Sequence, residues 1–111
     1  MSALMVVLGA ALGAPLRHAV AHLLDERFPA GTLLVNVVGS GLFGAFAALS
    51  LGDAAWAFLG TGFCGAFTTF SSFAVQAVDR PRRTAVAYVV ATTVLATGAC
   101  ALGWALGSLL G

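Results

Sequence analysis

The chain contains no lysine, and charged residues make up only 8% of its 111 residues. A soluble domain carries about 25% charged residues, and a small one needs a polar skin because its surface is large for its volume. Nine charged side chains do not supply one. With a net charge of +1, no basic surface is left for nucleic acid. Two cysteines, Cys64 and Cys100, make neither a disulfide framework nor a metal motif; they read as small packing residues. No set of nucleophile and base, and no metal cluster, offers an enzyme a site. Against these shortages stand 60% hydrophobic residues and a mean hydropathy of +1.03, which also exclude intrinsic disorder.

The position of the charges divides the chain. Residues 28–52, 54–78 and 84–111 carry none, and residues 1–24 carry only Arg17. Each stretch exceeds the about 20 helical residues that cross a ~30 Å hydrocarbon core. The pattern predicts one all-α membrane domain over 1–111, with four transmembrane helices near 3–24, 31–51, 54–78 and 84–109. The uncharged runs are too long for membrane strands of about ten alternating residues. Short polar breaks at 25–31, at Gly52-Asp53 and at 79–83 join antiparallel neighbours. The N-terminal run lacks a basic leader and flows into Arg17 and His18, unlike a cleavable signal.

Fourteen glycines set how such helices pack. Gly9/Gly13, Ser40/Gly44 and Gly103/Gly107 have the four-residue spacing that lets backbones approach. Four spans bury little by themselves, so an oligomer is expected. Trp56 and Trp104 fall near the predicted membrane boundaries, where indoles anchor or simply pack. His18 and His22, one turn apart, read as a polar interfacial face without a third metal ligand. Arg17 follows Pro15 and lies about 12 Å from Asp25 along a helix. It either snorkels or serves as a structural anchor.

The third span is the most informative. Glycines 60, 62 and 65 weaken its helix, and Thr68, Thr69, Ser71 and Ser72 bring four hydroxyls to mid-membrane. This helix is predicted to break near its middle, where freed carbonyls become available to a cation. Phe70 and Phe73 share one helical face. In the second span Thr32, Asn36 and Ser40 form a polar stripe. In the fourth, Tyr88/Thr92 and Thr93/Thr97 are one-turn pairs. No carboxylate lies in any span, so proton-coupled export has no carrier, which argues against a small multidrug exporter. Partially positive phenylalanine edges and the Asn36 amide can hold a small anion weakly, and weak sites let an ion leave.

The segment from Gly31 to Ser40 around Asn36, and the run Gly62-Phe63-Cys64-Gly65-Ala66-Phe67-Thr68-Thr69-Phe70-Ser71-Ser72-Phe73, resemble the CrcB/Fluc fluoride channel family. Gly13-Ala14-Pro15-Leu16-Arg17 resembles its first-helix motif, and the likeness covers the whole chain. The resemblance implies an antiparallel dimer of four-helix subunits in the cell inner membrane, passively exporting cytoplasmic fluoride. It implies that Phe70 and Phe73 form the pore's phenylalanine box and that Asn36 faces the pathway. Thr69 and Ser72 would belong to the adjoining polar track, and Tyr88 matches the fourth-helix tyrosine. Backbone carbonyls of Gly65 and Thr68 would hold a central structural sodium. The usual fourth-helix pore hydroxyls fall here at Ala96 and Cys100, which leaves Thr92, Thr93 or Thr97 to replace them.

Arg27, Arg80, Arg82 and Arg83 fall in the loops of one side, and the other side has no basic residue. That bias predicts a fixed orientation with both termini outside. The oppositely oriented second subunit is then either a second copy of the chain or a paralogous subunit. The alternative function is a non-conducting or partner-dependent subunit.

Overall fold

The computed structural model describes residues 2–25, 28–68 and 70–110, with the side chains of Ser2, Ser71 and Ser72 outside that description. Helix α1 spans Ser2–Leu24, α2 Ala30–Ala48, α3 Asp53–Ala55, α4 Gly65–Phe67, α5 Phe70–Asp79 and α6 Arg82–Leu110. A nine-residue π-helix, Trp56–Cys64, joins α3 to α4. No strand occurs among the described residues; a single bridge pairs Asp25 with Pro29. The all-helical expectation therefore holds.

Three helices, α1, α2 and α6, are long and apolar enough to cross a membrane. Alanine and leucine dominate them and favour helix. The 29 residues of α6 reach about 43 Å, close to the molecule's 44 Å longest extent. Helix α1 continues through Pro15. Membrane helices tolerate a proline where neighbouring groups take over the freed carbonyl. Helix α2 closes at Leu49, and Ser50 takes a left-handed φ of 55°, the usual conformation just past a helix end.

Residues 53–79 are built from shorter elements. The backbone is helical up to Phe67, extended at Thr68 (φ −81°, ψ 162°) and helical again from Phe70. The Thr68 N–H and hydroxyl both donate to the Cys64 carbonyl, at 3.0 and 2.8 Å. That carbonyl is thus doubly used where the helix ends.

Glycines let the elements meet backbone to backbone. A Cβ at Gly9 would collide with the Phe58 carbonyl, and one at Gly13 would lie 2.5 Å from the Phe63 carbonyl. Helix α1 therefore packs on the π-helix. A Cβ at Gly44 would collide with the Cys100 carbonyl, and one at Gly103 with the Gly41 carbonyl. At Gly107 it would stand 2.6 Å from the Ala45 carbonyl. These contacts weld α2 to α6. Only Gly permits such separations.

The outer faces remain apolar and open. Leu12, Leu16, Leu23, Val94, Leu102 and Leu109 are among many exposed hydrophobics, and the fully buried side chains are few, led by Tyr88 and Val35. Such a surface suits a lipid solvent rather than water.

Candidate ion pathway

An open groove of about 650 Å³ runs between α2, α6 and the Trp56–Phe73 stretch. Helix α2 lines it with Asn36 and Ser40, among others. Asn36 is 8% exposed. Helix α6 contributes Thr92, Thr93, Ala96, Thr97 and Cys100. The stretch between them in sequence contributes Gly60, Thr61, Cys64, Gly65, Thr68, Phe70 and Phe73. Trp56 and Phe43 also line it and pack with ring centroids 5.3 Å apart. Among the described residues no charged side chain borders the groove. An anion within it would meet hydroxyls, an amide and ring edges.

Phe70 and Phe73, three residues apart on α5, hold their centroids at 5.9 Å with a 46° tilt. Phe70 is 79% exposed, so most of that ring is uncovered. Phe73 lies 5.3 Å from Tyr88, and Phe28 meets Tyr88 edge-on at 5.8 Å. Tyr88 is fully buried, yet its hydroxyl has no hydrogen-bond partner among the described residues, and nor does the Thr92 hydroxyl one turn on. Buried hydroxyls are normally paired. Of the two, Thr92 borders the groove.

The fourth-helix hydroxyls expected from the sequence thus fall into two classes. Thr92 is buried; Thr93 and Thr97 are exposed on the groove wall. Thr69 lies outside the described residues, and of Ser72 only its place in α5 is described. Arg17 is half-buried on α1 and does not border the groove. His18 and His22 stack at 6.2 Å on an exposed face. Cys64 and Cys100 are free thiols.

Among the described residues no group of three His, Cys, Asp or Glu side chains is placed to hold a metal. A cation at the α4–α5 junction would need oxygen from the backbone. At Gly65 nothing lies within 4 Å of where a Cβ would be. Gly65 and Thr68 both border the groove where the chain leaves the helix, and carbonyls at such a break suit a hard cation like sodium.

Sequence reasoning missed the polar network at the arginine-rich end. The Asp25 carboxylate accepts from the Thr32 N–H (2.9 Å), the Thr32 hydroxyl (2.7 Å) and Gln76 Nε2 (3.2 Å). Gln76 Oε1 accepts from Arg80 Nε at 3.1 Å and Nη2 at 2.6 Å. A signal existed. Pro29 stands at the α2 N-cap without a capping side chain, so an upstream acceptor had to serve.

A family model described as CrcB-like protein, camphor resistance (CrcB), matches residues 4–104. The chain belongs to the CrcB family. Several relatives match over nearly the whole of both chains. It is 44% identical to the "Fluoride-specific ion channel FluC 2" of Rhodococcus jostii (strain RHA1), over 97% of this chain and 100% of that protein. It is 45% identical to the protein of the same name from Natronomonas pharaonis, over 99% and 97% of the two chains. The "Fluoride-specific ion channel FluC 1" of Listeria monocytogenes serovar 1/2a is 38% identical, over 94% and 95%. The names of these relatives give the groove a context.

Proposed function

We propose that the protein is a fluoride channel that lets cytoplasmic fluoride leave the cell passively. The observation that carries the reading is the groove in which Asn36, Thr92, Phe70 and Phe73 converge with no charged side chain. Fluoride is small and strongly hydrated. Hydroxyl and amide donors replace part of its water, and phenylalanine edges offer a partial positive charge. A fixed cation would trap the ion; several weak contacts in series let it move on.

In this reading the stretch 53–79 is a third span, interrupted at Thr68, so that the chain crosses the inner membrane four times. Carbonyls of Gly65 and Thr68 would hold a structural sodium, whose charge would offset the carbonyl dipoles left at the break. Thr69 and Ser72 would extend the hydroxyl track past Phe70 and Phe73, and Tyr88 would cap it. Arg17 would anchor α1 near the membrane surface. A second subunit in the opposite orientation would cover the groove and the exposed Phe70 ring.

The arginine pattern favours one refinement. Gln76 reaches Asp25 at 3.2 Å, which puts the α1–α2 and α5–α6 junctions side by side. Arg80, Arg82 and Arg83 lie at or beside the second of these, so positive charge collects at one end. A chain biased in this way inserts in one orientation, and its partner is then a paralogous, oppositely inserted subunit.

Fluoride efflux from proteoliposomes tests the function. Efflux from vesicles holding the purified protein, alone or with its paired subunit, supports a channel; no efflux in either form rejects it. A reporter fused to the C-terminus tests orientation, and equal signal from both sides of the membrane rejects the biased insertion.

A further inference from the structure

Helix α5 carries both groove phenylalanines on a slight foundation. It has ten residues and begins just after the extended Thr68. It packs chiefly on α6 and only lightly on α2, and Phe70, Val75 and Val78 are exposed along it. A ten-residue helix so attached has little apolar contact to fix its rotation. What fixes it must lie elsewhere.

Gln76, three residues after Phe73, supplies the tie. Its Nε2 donates to Asp25 Oδ2 across 51 residues of sequence. The direction of this bond is dictated by its neighbours. Arg80 offers only donors and occupies Gln76 Oε1 twice, so Gln76 presents its amino group to position 25. Thr32 presents an N–H and a hydroxyl to the same residue. Position 25 thus meets donors from two sides, and only a carboxylate accepts them all. Capping α2 needs one oxygen; the second oxygen binds both the Thr32 hydroxyl and Gln76.

We infer that Asp25 is a positioning residue for the ion pathway: through Gln76 it fixes the rotation of α5 and so sets Phe73 against Tyr88 and beside Phe70. Its value for conduction rests on the channel reading; its effect on α5 does not.

A polarity swap tests this. In Asp25→Asn the new amide cannot accept from both Thr32 and Gln76. In Gln76→Glu two carboxylates face each other. In the double variant Asp25→Asn/Gln76→Glu the new amide donates to the new carboxylate, which still accepts from Arg80. The readouts are thermal melting, fluoride efflux per folded protein, and the ¹⁹F resonance of 4-fluorophenylalanine placed at position 73 alone. Each single variant should move or broaden the resonance and slow efflux about tenfold, the shift expected on losing one charge-assisted hydrogen bond. The double variant should restore both. A resonance unmoved in the single variants overturns the inference, as does one that the swap fails to restore. A lowered melting temperature with an unmoved resonance overturns it too, since Asp25 would then only cap α2. Absence of efflux in the unaltered protein rejects the channel reading alone, because the resonance still reports on the tie.

Discussion

Phe73 and Tyr88 lie 5.3 Å apart with their rings tilted by 40°, joining α5 to α6 at the point where the Tyr88 hydroxyl is buried without a partner among the described residues. One ring thus faces the groove and the other supports it, and the supporting ring carries an idle donor. This is costly for folding alone, because an unpaired buried hydroxyl is penalised by about 1–3 kcal/mol. Its retention makes sense where an ion or its water visits.

Tyr88→Phe is expected to keep the ring contacts and remove that penalty. The melting temperature in detergent should hold or rise, while fluoride efflux falls about tenfold or more. A variant that melts as the parent does and conducts at the parental rate would remove Tyr88 from the pathway.

Thr92→Val replaces the second unpartnered hydroxyl with a methyl group of the same shape. Efflux should drop while stability is unchanged or improves by about 1 kcal/mol. Thr93→Val, on the exposed wall, serves as the comparison. A larger loss at Thr93 than at Thr92 would mean that the exposed hydroxyls, not the buried one, line the ion's route.

Phe70→Ile removes a ring edge at a site that is 79% exposed in the single subunit. Little folding stability depends on it there, so the protein should purify and melt normally yet lose fluoride efflux. If efflux persists and only stability declines, the ring is a packing element and lies outside the ion's route.

Gly103→Ala places a Cβ against the Gly41 carbonyl. Backbone cannot move aside cheaply, so α2 and α6 should separate at a cost of about 1–3 kcal/mol, seen as a lower melting temperature. Gly98→Ala, on the same helix with nothing within 4 Å of the new atom, should be neutral or stabilising by several tenths of a kcal/mol. Equal responses at the two positions would refute the close-approach account.

Much of this was legible because it depends on spacing within one element. Phe70 and Phe73 share a face since both fall in α5, where a three-residue interval brings rings together. Gly9, Gly44, Gly103 and Gly107 announced close approach by their intervals, and each proves to meet backbone. The stripe of Thr32, Asn36 and Ser40 likewise follows from the 3.6-residue turn. Within that stripe the Thr32 hydroxyl donates to Asp25, and Asn36 and Ser40 border the groove.

The sequence by itself determined that the protein is helical and built for lipid, because uncharged runs of this length have no other stable solvent. It also determined which residues belong to the phenylalanine and glycine motifs. Only the tertiary structure decided which side chains meet across elements: Asp25 with Gln76, Phe28 and Phe73 with Tyr88, and Thr92 rather than Thr97 as the buried hydroxyl. The reason is one of phase. Nine residues of π-helix turn at a different period from the α-helix, and extended Thr68 resets the direction again. Past those two points, the face on which a residue lies cannot be counted from an α-helical repeat; it is fixed by how α5 docks on α6 and by the hydrogen bond that holds it there.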